Sequence, residues 1–413
     1  MKVGYILLDG CSDRPVPSMN YSTPLEVANT PNLDRLARNG KLGQVITVGR
    51  GISPESDIAV FHMLGYSFSK GYPGRGVVES IGAGLKLKDG DLALRCNFAT
   101  TVKGKITDRR AGRDMTQQDA KGLEEELKSI ELTGAEFEFR STIGHRAVMV
   151  IRADSPLSGE ISNTDPGYVR VKGFGAAREA KDVEDIQTCN PLDKTAASKK
   201  AASLVNEFSK QAMKVLDESQ VNQARARAGK KKANLLLFRD AGSSVPKLTP
   251  FQEKHGYRGV ALVEMPAEVG IAMLLGMKMV HAGDPADLAG KAKLLKREMR
   301  EGTVVYAHIK GPDEFGHDGD AEGKRGNIET IDREFFAPVT ELLADEPTLA
   351  VSCDHATPCV LKMHSADPVP LLVTGHRARG KATSCRFTEK DSKAGVMGTM
   401  LGKTVLGKVL ASN

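Results

Sequence analysis

The chain has 413 residues, 40% hydrophobic and 27% charged, with 42 glycines, no tryptophan and a formal net charge of +6. That balance belongs to a globular α/β protein rather than a disordered one, and apolar runs such as Val3 to Leu8 are too short to span a bilayer. The length exceeds the roughly 250 to 300 residues at which a single core stops growing, so two domains are expected.

In chain order, Val3 to Leu8 reads as a buried strand ending in a turn at Asp9-Gly10. The residues before it lack the charged, apolar and small-residue regions of a signal peptide, so a cytoplasmic location is expected. Thr30 as N-cap and Pro31 at the first helical position open a helix that should close at Gly40. A loop from Gly49 then leads into a helix over Asp57 to Leu64, with Ser56 at its N-terminus, where the helix dipole favours an anion.

The texture changes in the middle of the chain. Asp91 to Thr101, Glu136 to Phe139 and Ala147 to Arg152 alternate like strands, while Asp119 to Ile130 and Lys194 to Glu218 are helical and highly charged. This predicts an inserted α+β domain over residues 76–240, with the main domain formed by 1–75 and 241–413. Gly256 to Met279 would return the chain to the main sheet, followed by strands Thr303 to Ile309, Thr348 to Ser352 and Val369 to Thr374. The expected fold is a doubly wound α/β domain with a mainly parallel sheet, whose ligands gather at the strand carboxyl ends.

The six cysteines show no C-x-x-C spacing, which excludes a thiolate zinc site and a disulfide framework. The densest basic cluster, Arg225, Arg227, Lys230, Lys231 and Lys232, lacks interleaved aromatics. It reads as a solvated helix end, and no nucleic-acid partner is expected. A basic excess suits a small anionic substrate instead.

Chemistry concentrates after the strands. Asp9, Ser56, Asp313, His317, Asp354, His355 and His364 form a candidate set of metal ligands. Asp313 and His317 are four apart, so one helical turn would place carboxylate and imidazole on the same side. Asp354 and His355 follow a strand directly, where neighbouring side chains diverge and could each serve a different ion. Taken singly, Asp9-Gly10 is an ordinary turn and Asp313 a helix cap. Their joint occurrence at strand ends carries the metal reading. Oxygen and imidazole donors without thiolate suit Mn²⁺ or Zn²⁺. Two such ions would lower the pKa of the Ser56 hydroxyl and neutralise phosphoryl oxygens during in-line displacement.

The motifs Leu7-Leu8-Asp9-Gly10, Pro54-Glu55-Ser56-Asp57, Lys310 to Asp313 with His317 to Asp320, Asp354 to Pro358, and His364 with Asp367 to Pro370 resemble the alkaline phosphatase superfamily. Within it, Thr30 to Leu36, Tyr72 to Gly76, Arg95 to Thr100 and Asp108 to Arg113 are similar to the archaeal-type phosphoglycerate mutases that need no 2,3-bisphosphoglycerate. The resemblance runs over nearly the whole chain. It implies a phosphatase-like core with an inserted substrate domain that closes over the substrate. It also implies two divalent metals, Mn²⁺ first, with Zn²⁺, Co²⁺ and Mg²⁺ as alternatives. One ion would be held by Asp313, His317 and His364, and the other by Asp9, Ser56, Asp354 and His355.

By the same resemblance, Ser56 would carry the phosphoryl group while 3-phosphoglycerate and 2-phosphoglycerate interconvert. Arg110, Arg113 and Arg239, with His145 and Arg146, would hold the substrate, because guanidinium grips carboxylate and phosphate by paired hydrogen bonds. Asn97 and Asp108 would orient the hydroxyls or move their protons. Two features depart from the family pattern around the nucleophile. Glu55 stands where Gly is usual, and Ser53 offers a rival hydroxyl. A third departure is Asp240, at a position generally held by Gly. The rival expectation is another phosphohydrolase or phosphomutase on the same scaffold, sharing the metal ligands but not the arginines.

Overall fold

A computed structural model describes residues 1–68, 71–171, 174–177, 183–341, 347–375 and 385–411. Strands in chain order are β1 (Lys2–Leu8), β2 (Gly40–Ile46), β3 (Leu92–Val102), β4 (Lys105–Asp108), β5 (Ala135–Ser141), β6 (Arg146–Ala153), β7 (Tyr168–Val171), β8 (Phe174–Ala177) and β9 (Glu184–Asp185). They continue as β10 (Leu235–Gly242), β11 (Arg258–Val263), β12 (Lys278–His281), β13 (Thr303–Ile309), β14 (Thr348–Cys353), β15 (Val369–Thr374) and β16 (Thr399–Leu401). The chain divides into two compact units, one of Met1–Ser69, Leu248–Glu264 and Ala272–Asn413, the other of Lys70–Lys247 and Met265–Ile271.

The first unit holds an eight-stranded sheet in the order β12-β11-β13-β1-β14-β15-β2-β16. It is doubly wound and mainly parallel, with β15 antiparallel to both its neighbours. Strands β13, β14 and β15 are buried at every residue, as expected of strands covered on both faces, whereas edge strand β12 is largely exposed. The reversed β15 has a functional consequence. His364 precedes that strand rather than following it, yet the start of an antiparallel strand lies at the same sheet edge as the carboxyl ends of β1, β13 and β14.

Local chemistry sets the element ends. The helix Pro31–Arg38 begins with Pro at its first position, but Asn39 caps its C-terminus and Gly40 opens β2, so the helix stops short of the glycine expected to close it. The helix Ser56–Met63 starts at Ser56, with Glu55 as its extended N-cap residue. Among the described residues no helix is long and apolar enough to cross a membrane.

The second unit is built on an antiparallel sheet in which β3 pairs with β6, β10 and β4. Its period-two pattern sorts the faces. Leu94, Cys96 and Phe98 point into a core shared with Leu123, Leu127, Phe208 and Leu216 of the helices Gln117–Leu127 and Ala196–Glu218. The alternate residues Arg95 and Asn97 share the opposite face. Strand β10 runs through Arg239 to Gly242, with an irregularity in its pairing between those two residues.

Of the basic cluster, Arg227, Lys230 and Lys231 are exposed as expected, and Arg225 alone departs from the solvated face. Arg225 is buried, pairs with Asp114 at 2.6 Å and Asp119 at 2.8 Å, and donates to the carbonyls of Ala111 and Lys231. Composition alone could not reveal these acceptors, which lie more than a hundred residues away in sequence or in a separate loop.

Candidate metal centre and arginine cluster

In the first unit, the ends of β1, β13 and β14 and the approach to β15 bring together Asp9, Asp313, His317, Asp354, His355 and His364, with Ser56 from the helix Ser56–Met63. Two triads have ligand atoms within 4.8 Å of one another: Asp9, Asp354 and His355, and Asp313, His355 and His364. His317 joins the second group, with Nε2 3.5 Å from Asp313 Oδ2 and 3.2 Å from His364 Nε2. Ser56 Oγ lies 3.0 Å from His355 Nε2. The side chains of Asp354 and His355 converge rather than diverge, with Oδ2 and Nε2 3.3 Å apart. The pleat ends at Cys353, so strand alternation no longer applies to them.

Hydrogen bonds aim the imidazoles. His364 Nδ1 donates to the Pro54 carbonyl at 2.8 Å, and His317 Nδ1 to the Lys362 carbonyl at 3.1 Å. Thr357 Oγ1 donates its single proton to Asp313 at 2.6 Å, so it accepts from His355 Nδ1 at 3.1 Å. Each ring therefore presents Nε2 to the cluster, its other nitrogen held by a hydrogen bond as is usual for metal-ligating histidines. Among the described residues, Asp9 Oδ1 and Asp354 Oδ2 are buried without a hydrogen-bond partner. Orphaned carboxylate oxygens beside inward-facing imidazoles fit divalent cations.

The charges interact strongly. Burial would lower His364, but its hydrogen bond and attraction to Asp313, with the Glu55 carboxylate, push it up to about 10. Burial would raise Asp313 and Asp354, yet the surrounding imidazoles hold both well below the usual carboxylate range. Burial lowers His355. Glu55 turns toward His364, with Oε1 4.0 Å from its Nδ1. Ser53 is exposed, whereas Ser56 faces the cluster.

Sequence reasoning missed three members of this region. His308 Nε2 stands 3.3 Å from Asp354 Oδ2, and Lys310 Nζ 3.1 Å from Asp9 Oδ2. Both flank the end of β13, so the strand-end rule that found Asp9 could have found them. Thr357 lies inside the Asp354 to Pro358 motif.

In the second unit, Arg95, Asn97, Arg146 and Arg239 share one face of the sheet, because Arg95 is opposite Arg239 and Asn97 opposite Arg146. Glu79 pairs with Arg75 at 2.7 Å and Arg95 at 3.0 Å. Burial would raise its carboxyl, but the arginines, Arg95 first, bring it to about 2. Asp165 pairs with Arg109 at 2.6 Å and Arg239 at 3.0 Å, and the Arg239 guanidinium lies 3.8 Å from the centre of the Tyr168 ring. Burial, then Arg146, Arg239 and Arg113, lower His145 to about 4, so its imidazole is neutral at pH 7.

Asp108 accepts from the backbone amides of Arg110 and Gly112 and pairs with Lys231 at 2.7 Å. That holds the turn carrying Arg110 and the exposed Arg113, whose φ is 58°. Arg95 was predictable from its i, i+2 relation to Asn97. Asp165 and Tyr168 carry no comparable sequence signal.

Comparison with known proteins decides the family. A protein from Aeropyrum pernix named 2,3-bisphosphoglycerate-independent phosphoglycerate mutase is 41% identical over 97% of both chains. The chain belongs to that family. The family model of the same description matches residues 37–222, and the Methanopyrus kandleri mutase is 35% identical over 98% of this chain and 94% of its own. Members are isomerases that transfer a phosphoryl group within one molecule. Among solved structures, a Pyrococcus horikoshii protein superposes with a TM-score of 0.76 at 29% identity, covering 100% of this chain and 98% of its own. The cofactor-independent phosphoglycerate mutase of Thermoplasma acidophilum gives 0.61 at 29% identity, covering 100% and 99%.

Proposed function

We propose that the chain interconverts 3-phosphoglycerate and 2-phosphoglycerate without 2,3-bisphosphoglycerate, carrying the phosphoryl group on Ser56 between two transfers. The observation that carries this reading is the approach of Ser56 Oγ to His355 Nε2, 3.0 Å, at the imidazole shared by both ligand triads. Asp9, Ser56, Asp354 and His355 would hold one divalent ion and Asp313, His317 and His364 a second, Mn²⁺ being the first choice. Bound there, the ions supply Lewis-acid charge that favours an ionised serine hydroxyl and neutralises phosphoryl oxygens.

The rest falls to the chain's own groups. Ser56 attacks the phosphorus of the bound monoester, the ester oxygen leaves with a proton as a glycerate hydroxyl, and the other hydroxyl then takes the phosphoryl group back from Ser56. Residues 76–240 are assigned to substrate recognition. Arg110, Arg113, Arg146 and Arg239 hold the carboxylate and phosphate, and Asp108 fixes the turn that carries the first two. Asn97 orients a glycerate hydroxyl, and neutral His145 can accept a hydrogen bond from one.

The test is a coupled assay of 3-phosphoglycerate with Mn²⁺, together with mass spectrometry of rapidly quenched protein. Formation of 2-phosphoglycerate, phosphate on Ser56 and loss of turnover on chelation are expected. Steady phosphate release with no 2-phosphoglycerate would defeat the reading.

A further inference from the structure

Strands β3 and β10 pair with Arg95 directly opposite Arg239. Like charges facing one another across a ladder repel, and these side chains are only 7% and 6% exposed. Each has a carboxylate of its own, Glu79 for Arg95 and Asp165 for Arg239. Asp240 adds another to both. Its Oδ2 lies 3.0 Å from Arg95 Nη1 and 3.6 Å from Arg239 Nε.

The backbone at Asp240 does not need this side chain. Its φ is 55°, in the left-handed region that strains any residue with a Cβ and suits glycine. Packing fixes that conformation. The Asp240 amide donates to Asn163 Oδ1 at 3.2 Å, and its carbonyl sits so close to Gly76 that a Cβ there would approach within 2.6 Å. Glycine at 240 would fit without strain, so the carboxylate is what the aspartate adds. That carboxylate stands between two guanidiniums, hydrogen-bonded to Arg95 and 3.6 Å from Arg239, and guanidinium is the group suited to binding carboxylates and phosphates.

We infer that Asp240 is an internal competitor for the anion site formed by Arg95 and Arg239, occupying it with its own carboxylate and weakening the binding of an anionic ligand there. The inference rests on the reading of this arginine cluster as the substrate site. It also makes Arg95 a substrate-facing residue.

Two variants of the full chain test it. Asp240→Gly removes the carboxylate and relieves the backbone, and Asp240→Asn removes the charge alone. Both are titrated calorimetrically with 3-phosphoglycerate and, separately, with inorganic sulfate, and KM is measured beside kcat. Both should bind each anion more tightly, by at least roughly fivefold, with KM falling alongside. The gain should vanish when Asp240→Asn is combined with Arg239→Gln. Unchanged or weaker binding, or a gain that survives the Arg239 substitution, overturns the inference. A parent chain without mutase activity would sink the proposed function instead, and sulfate affinity would then decide the role of Asp240.

Discussion

Ser56 Oγ and His355 Nε2 stand 3.0 Å apart, and Thr357 turns the same imidazole by accepting from its Nδ1. The arrangement selects one hydroxyl of two nearby. Ser56→Ala should abolish mutase turnover while leaving the carboxylates and imidazoles able to bind Mn²⁺, whereas Ser53→Ala should keep most of the activity. Coupled assay and Mn²⁺ titration of both variants check this. Phosphate recovered on Ser53 would refute the assignment.

Gly10 has a φ of 57°, and a Cβ there would come within 2.5 Å of Thr357 Oγ1 and 2.6 Å of Asp313 Oδ1. Gly10→Ala therefore both strains the backbone and pushes apart two groups at the cluster. We expect a loss of about 1 to 3 kcal/mol in stability and a fall in Mn²⁺ affinity of at least roughly tenfold, as when a hydrogen-bond partner of a metal ligand is displaced. Denaturant unfolding and metal titration measure the two effects separately. Unchanged Mn²⁺ affinity would show that the turn is not part of the site.

How far the sequence revealed this site depended on whether the information was local. The strands β1, β13 and β15, the helix beginning at Ser56 and the Asp313–His317 spacing all follow from periodicity and caps, and each lay where it was expected. The reversed direction of β15, which brings His364 to the common edge, is a pairing choice that periodicity does not encode. Nor could composition distinguish Arg225 from its exposed neighbours, since its burial is decided by the distant Asp114 and Asp119.

Arg225 pins the loop that carries Arg113. Arg225→Ala removes donors to the solvent-accessible Asp114 and Asp119 and leaves the buried Ala111 carbonyl unmatched. A loss of about 1 to 3 kcal/mol is expected, with KM for 3-phosphoglycerate rising as the loop loosens. Equilibrium unfolding and steady-state kinetics read these out. Unchanged stability would mean that solvent replaces the guanidinium, contrary to its burial.

Glu389 sets a pH dependence of stability. Burial raises its carboxyl from the usual 4.5 to about 7, although Thr23 Oγ1 at 2.7 Å and the Asp13 amide at 2.9 Å donate to it. An acid with a raised folded pKa binds its proton more tightly folded than unfolded. Its stabilising contribution is full below about pH 4.5 and is lost as pH rises through about 7. Glu389→Gln should therefore be more stable than the parent by about 3 kcal/mol at pH 8, with little advantage at pH 5. Thermal unfolding across that range checks the crossover. A constant difference at all pH values would exclude titration of Glu389 as its origin.

Lys324 gives the sharpest prediction about what holds the loops after β1 and β14 together. Its ammonium and the Asp13 carboxylate are both fully buried, 2.8 Å apart. The ammonium also donates to the carbonyls of Ser12 at 3.3 Å and Thr357 at 2.9 Å. Lys324→Met would leave the Asp13 charge buried, although the amide of Cys359 still donates to it. The expected loss is about 3 to 5 kcal/mol, as for other buried pairs broken from one side. Adding Asp13→Asn removes the stranded charge, so the double variant should regain part of that loss. Thr357 holds both Asp313 and His355, so Mn²⁺ affinity should fall in the single variant and stay low in the double, which restores neutrality but not the bond to the Thr357 carbonyl. Recovery of Mn²⁺ affinity in the double variant would make charge balance, rather than the position of Thr357, the contribution of Lys324 to the site.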